Sequence, residues 1–297
     1  MKKIVLGLAL VCSSVLLNSC GGFLANDLEE TVKQNDQEML SYINSKNLNM
    51  TKYDNGMYYQ ITKTNSAGRN VALGDEVKFH YVMSLLDGTR IDSSSRLKNE
   101  PISSIFGGTI GLQGLLDAFT RLKEGERGTF LIPSYLAYGS QSNGKIPAKS
   151  VIVFDLEVLR YRSEQQQIDE YIATGTGGAV FVSSDTTASG VKVLKFNETT
   201  GTKLAAGQTV TVKYTGYTAS NIKQFDTGEL TVYLGGGTVV KGFEEGLQAL
   251  RVGEKANLVF KSALGYGTQG ITDNTTGLFK IPPYAPLIFT VEVKSTR

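Results

Sequence analysis

Few side chains in this sequence are equipped for chemistry. His80 is the only histidine, and Cys12 and Cys20 are the only cysteines. His80 stands in the alternating run 77–82, which puts Val77, Phe79 and Tyr81 on one face and turns His80 to the other, toward solvent. A Ser-His-Asp or Cys-His hydrolase needs its histidine in a cleft, so the pattern argues against hydrolysis. No His, Cys and Asp grouping has metal-site spacing either. What remains is a set of hydroxyls and a carboxylate among large apolar residues, and it occurs twice. The later set is Tyr214, Phe225, Val239, Val240, Phe243, Tyr266, Ile281 and Phe289, with Asp226 beside them. The earlier is Tyr81, Ile91, Asp92, Leu112, Leu115, Tyr138, Ile146 and Phe154. Either set can line an apolar pocket, or it can be plain core, since the inward face of every strand must be apolar in any case.

The elements that must position these residues are mostly strands. Alternating or apolar runs at 57–62, 77–82, 129–132 and 151–160 predict strands in the first half. The exception is 238–247, which follows Gly235, Gly236 and Gly237. There Val239, Val240, Phe243 and Leu247 recur at helical spacing, while Lys241, Glu244 and Glu245 suit water. Residues 110–119 are its twin. The chain then repeats itself in order. Gly74 to Val77 matches Gly207 to Val210, Asp92 matches Asp226, and Gly114 matches Gly242. Lys123-Glu124-Gly125-Glu126 matches Arg251-Val252-Gly253-Glu254, Tyr138 matches Tyr266, and Ile146-Pro147 matches Ile281-Pro282. An ordered series of this length predicts a tandem duplication, with a period too long for a solenoid.

The 297 residues fit two domains, each large enough to bury a core. A net charge of +2 gives no basic field for nucleic acid. Residues 1–20 read as a signal: Lys2 and Lys3, an apolar stretch at 4–17 too short for a comfortable span, then Asn18-Ser19-Cys20. A small residue before Cys20 resembles the lipobox of bacterial lipoproteins, with Asn18 a less usual member. An ordinary secretory signal is the alternative. With Cys12 inside the signal, the mature chain has only Cys20 and forms no internal disulfide. Residues 21–48 read as a tether grading into a short helix at 36–46. Residues 49–161 form the first domain, 162–178 a linker with a short helix, and 179–297 the second domain.

The motifs K-Y-T-G-Y-(x)7-F-D-T, L-G-G-G-T-V-V-K-G-F-E-E-G-L, L-G-Y-G and I-P-P-Y-A-P-L-I-F-T-V-E-V resemble the FKBP-type peptidyl-prolyl isomerases. The first half resembles them in F-H-Y-V, D-G-T-R-I-D-S-S, L-Q-G-L-L-D-A-F, I-P-S-Y-L-A-Y-G and K-I-P-A-K-S-V-I-V-F-D-L-E-V. The resemblance implies an α+β protein of two FKBP-like domains, each an antiparallel curved sheet wrapped around one short helix. It implies an apolar pocket for X-Pro segments of exported proteins, with no cofactor or metal. Phe243 would be the floor, where the family usually has Trp. The Val240 N–H and the Tyr266 hydroxyl would hold substrate carbonyls, and Asp226 would orient polar groups near the twisting bond.

The first repeat departs from this pattern at Leu115 and Ile91, which make its pocket aliphatic, and it has a longer stretch from Asp92 to Gly107. There Arg96 or Lys98 is expected to pair with Asp92. The second repeat keeps the aromatic wall but offers Asp226 no basic partner. It also has a longer loop, 267–280 against 139–145, so partner choice is expected to differ. The expectation is a peptidyl-prolyl isomerase anchored by lipid on Cys20 in the cell envelope, at the outer membrane facing the periplasm. Its second domain would be the catalytic unit. The competing expectation is a non-catalytic binding or chaperone lipoprotein.

Overall fold

The structure is a computed structural model that describes residues 21–175 and 179–297. The signal 1–20, the lipidation candidate Cys20 and residues 176–178 of the expected linker lie outside the described residues. The chain divides into two compact units. One holds the described residues up to Leu73 with Val77–Tyr161, and the other holds Gly74–Glu76 with Arg162–Arg297.

The first unit contains α1 (Gly21–Ser45), β1 (Thr51–Lys52), β2 (Tyr58–Lys63), β3 (Glu76–Leu85), β4 (Arg90–Ser93), β5 (Ile102–Ile105), α2 (Gln113–Thr120), β6 (Arg127–Ile132) and β7 (Ile152–Arg162). The second contains α3 (Glu164–Glu170), β8 (Ser183–Thr186), β9 (Lys192–Lys195), β10 (Thr209–Thr218) and β11 (Lys223–Tyr233). It continues with α4 (Lys241–Gln248), β12 (Lys255–Phe260), β13 (Ile271–Thr272), β14 (Phe279–Ile281) and β15 (Leu287–Thr296). The first sheet runs β1-β2-β6-β7-β3-β4 with β5 beside β3, and the second runs β11-β10-β15-β12-β9-β8. The orders superimpose once β11 is equated with the broken pair β4 and β5. Each unit is thus an α+β FKBP-like fold, an antiparallel sheet with a short helix on one face.

The helices start later than their apolar stripes. Leu112 and Val240 are extended residues that lead into α2 and α4. Each helix then lies close on its sheet because glycine faces it. A Cβ at Gly242 would come within 2.5 Å of the Phe260 ring, and one at Gly114 within 2.2 Å of Ile132. At that separation an added methyl must push the helix off the sheet. The duplication also reaches the backbone. Gly125 and Gly253 share positive φ values of 82° and 85°, and so do Lys149 and Tyr284 at 59° and 57°.

Three expectations are corrected. Residues 21–48 are not a tether with a short helix, because α1 runs continuously over Gly21–Ser45. Its buried positions Thr31, Asn35 and Met39 follow helical spacing, but two of them are polar, so apolar periodicity revealed only the last turns. The short helix expected within 162–178 is present as α3, started by a reciprocal capping box of Ser163 and Gln166. The stretch is more than a linker, however, because Ile168 and Tyr171 are buried with Leu194, Val259 and Ile288. His80 does not face solvent. It is buried, with Nδ1 2.9 Å from the Ser94 hydroxyl, because the chain after β4 folds back over that face.

Both units use the same latch on the turn after their central strand. In the first, the Asn35 side-chain oxygen accepts hydrogen bonds from the Ser134 N–H (2.8 Å) and hydroxyl (2.7 Å). In the second, the Glu164 carboxylate accepts from the Ser262 N–H (2.6 Å) and hydroxyl (2.9 Å). Each turn leads directly to a pocket tyrosine, Tyr138 or Tyr266.

Candidate functional site

In the second unit β10, β11, β15 and the lead-in to α4 converge on one box of rings. Phe289 is its centre. The Phe289 ring lies 4.9 Å from Phe243 and 5.6 Å from Phe225, both edge to face, 5.9 Å from the stacked Phe260, and 6.3 Å from Tyr214. Such pairs add about 0.5–1.5 kcal/mol each beyond the area they bury. Phe243, Ile281 and Phe289 are buried, Tyr214, Phe225, Val239, Val240 and Tyr266 are half-buried, and Asp226 is exposed. The box therefore has a closed floor and an open mouth.

Phe225 reaches the box through a bulge. Gly216 pairs with Asp226 and Tyr217 with Gln224, leaving Phe225 unpaired between them. A Cβ on Gly216 would stand 2.6 Å from the Phe225 ring and 3.0 Å from that of Phe289. Glycine here is what makes room for both rings.

The polar groups sit at the mouth. The Tyr214 hydroxyl donates to Asp226 at 2.9 Å, and Asp226 also accepts from the Thr227 N–H at 3.0 Å. Among the described residues the Tyr266 hydroxyl and the Val240 N–H have no hydrogen-bond partner. Both are open to a ligand. Burial, then the charge of Asp226, raises the Tyr266 phenol above its ordinary value, and burial followed by the Asp226 hydrogen bond does the same for Tyr214. Both hydroxyls therefore keep their protons and remain donors. The arrangement offers an apolar, water-poor cup with two unused donors. That suits a neutral ring with carbonyls on either side.

The first unit repeats the framework with different contents. Tyr81 donates to Asp92 at 2.5 Å, and Ile91 is the bulged residue, since Met83 pairs with Asp92 and Ser84 with Arg90. Around Phe154 the ring network thins to Tyr81 at 6.3 Å. Leu112 leads into α2, Leu115 and Tyr138 are half-buried, and Ile146 and Phe154 are buried. The expected pairing of Asp92 with Arg96 or Lys98 is corrected. Arg96 reaches Glu157 at 3.3 Å and Asp155 at 3.5 Å instead, which draws the insert 94–101 onto β7, and Lys98 is exposed. The second unit has no such insert, and β11 runs unbroken.

Two positions escaped the sequence reading. Counting back from the matched Gly114 and Gly242, Val239 corresponds to Gly111, so the first pocket lacks a wall there. Counting on from Tyr81 and Tyr214, Gly216 corresponds to Met83. The Met83 sulfur lies 3.8 Å from the Tyr138 hydroxyl, at the counterpart of the hydroxyl left open in the second unit. Aligning the two repeats residue by residue, rather than motif by motif, would have exposed both.

The FKBP-type peptidyl-prolyl cis-trans isomerase family model matches residues 67–159 and 200–294. Peptidyl-prolyl cis-trans isomerase FKBP9 of Rattus norvegicus is 27% identical over 232 residues, covering 77% of this chain and 36% of that protein. FKBP-type peptidyl-prolyl cis-trans isomerase FkpA of Aeromonas hydrophila is 33% identical over 133 residues, covering 45% of this chain and 47% of that protein. The crystal structure of FkpA from Escherichia coli aligns with 46% of this chain and 64% of its own at 25% identity, with a TM-score of 0.39. The chain spans less than half the length of either of these curated relatives.

Proposed function

The chain belongs to the FKBP-type peptidyl-prolyl cis-trans isomerases, and from that premise we propose that it turns X-Pro bonds in exported proteins, with the second unit as the catalytic one. One observation carries this reading: the open box around Phe289, with the Tyr266 hydroxyl and the Val240 N–H unused at its mouth. The rotation faces a barrier of about 18–20 kcal/mol, set by amide resonance. A prolyl ring seated on Phe243 brings its preceding carbonyl out of water, which favours the twisted amide that has lost conjugation. The two donors hold the neighbouring carbonyls in register, so binding strengthens as the bond twists. A thousandfold acceleration requires about 4 kcal/mol, within reach of one dry cup and two well-placed donors.

The first unit is the weaker partner in this proposal, a binding module or poor enzyme. Its aliphatic floor and the engaged Tyr138 hydroxyl favour that assignment. The charged and apolar stretches before Cys20 support export and a lipid anchor on that residue; an outer-membrane position facing the periplasm is part of the same proposal.

A protease-coupled assay on the full mature chain tests the activity, with a proline peptide as substrate. Acceleration of the slow phase is expected, and its absence leaves only the non-catalytic reading. Mass spectrometry of the N-terminal peptide tests the anchor: an unmodified cysteine, or cleavage elsewhere, removes it.

A further inference from the structure

We infer that Met83 plugs the pocket of the first unit, so that the strand position held by Met83 in one unit and Gly216 in the other decides which unit admits a prolyl ring. The inference deepens the reading above and rests on it for the nature of the ligand.

The two positions are equivalent by hydrogen-bond register. Met83 pairs with Asp92 and Gly216 with Asp226, and in each hairpin the bulge follows at the next residue. A side chain at either position heads the same way. In the second unit that direction runs into the rings of Phe225 and Phe289, at 2.6 Å and 3.0 Å from a built Cβ. There an aromatic wall and an empty strand position go together.

In the first unit the exchange is reversed. The bulged aromatic becomes Ile91, and the room it vacates is taken by a long side chain from the strand. Met83 is 7% exposed and belongs to the same core cluster as Ile91, Tyr138 and Phe154. An unbranched thioether fills irregular space well, and its sulfur sits against the Tyr138 hydroxyl at 3.8 Å. One residue thus fills the cup and engages the hydroxyl that would receive a substrate carbonyl. The Leu115 floor narrows the choice of ligand, but the strand position closes the site.

The test counts binding sites on the full mature chain, using a fluorescein-labelled Ala-Leu-Pro-Phe peptide in a stoichiometric titration alongside the isomerase assay. Wild-type chain is expected to bind one peptide. Met83→Gly with Ile91→Phe, which copies the second unit into the first, is expected to bind two and to raise isomerase activity. Gly216→Met with Phe225→Ile, the reverse exchange, is expected to bind none while keeping a cooperative thermal transition. Met83→Ala empties the position without placing a glycine in the strand, and it is expected to gain the second site at weaker affinity should the double exchange not fold.

A wild-type chain that already binds two peptides overturns the inference and leaves the isomerase reading standing. So does a Met83→Ala chain that folds and still binds no more than wild type. A wild-type chain with no activity and no site, whose Met83 variants gain one, removes the isomerase reading and supports the plug. If neither chain binds, both fall.

Discussion

The two pockets share a backbone and differ in what they enclose. Tyrosine donates to aspartate, the residue before that aspartate bulges inward, and a buried phenylalanine stands opposite in both units. Yet Phe289 touches four other rings, whereas Phe154 meets only Tyr81 among the described rings. The lesson concerns which part of such a site is easily changed. The helix approach is held in both units by a glycine packed against the core, Gly114 on Ile132 and Gly242 on Phe260, so it cannot drift. The contents can be exchanged in pairs, Phe225 with Gly216 for Ile91 with Met83, and the exchange leaves the first pocket fuller. Duplication leaves one copy free to make that exchange while the other keeps the open box.

The sharpest way to break this comparison is to remove the central ring from each unit. Phe→Ala in a core costs about 3–5 kcal/mol. Phe289→Ala is expected at the top of that range because it also dissolves four ring contacts, and Phe154→Ala lower. Hydrogen exchange read by mass spectrometry separates the two units in one chain. Equal loss of protection would mean that the ring network adds nothing beyond buried area.

A gentler change bears on activity. Phe243→Leu gives the second unit the floor of the first, with a stability cost of about 1 kcal/mol for a swap of similar shape. We expect kcat/KM to fall about tenfold, or about 1.4 kcal/mol in the transition state. Leu115→Ala should leave total activity almost unchanged. If both variants lose activity alike, the two units share the work and the ranking collapses.

Much of this was readable from residues alone, for a physical reason. Strand alternation and the helical stripe are periodic, so Val77, Phe79, Val210 and Phe243 announce their faces. The tandem order was legible because turns such as Lys123 to Glu126 and Arg251 to Glu254 are spelled almost alike. In both, the last glutamate is buried and accepts the N–H of the residue three before it, at 2.8 Å and 2.9 Å. What periodicity cannot show is which neighbour a side chain meets. Asn35 falls in the expected tether, one residue ahead of the expected helix, yet it is buried to hold Ser134. Arg96 stands four residues from Asp92 in sequence, yet it goes to Asp155 and Glu157 on another strand. Met83 reads as ordinary core and becomes meaningful only opposite Gly216.

The smallest expected difference is the most specific. Tyr266→Phe removes one open donor from the second pocket. A neutral hydrogen bond is worth about 0.5–1.5 kcal/mol net, so kcat/KM should fall by about tenfold at most. Tyr138→Phe should change nothing measurable, since that hydroxyl only meets the Met83 sulfur. The pH profile separates a lost donor from a loosened pocket. Burial and then the charge of Asp226 hold the Tyr266 phenol above its ordinary 10.0, so the donor form outlasts that of a free phenol. A folded-state value raised above the unfolded one gives a contribution that is complete below pH 10.0 and is lost only as pH climbs through the higher folded value. Wild-type kcat/KM should therefore stay level up to pH 10.0 and decline above it. In Tyr266→Phe the part of that decline owed to the Tyr266 donor should disappear. A wild-type decline that begins well below pH 10.0 would assign the carbonyl contact to another group and remove Tyr266 from the site.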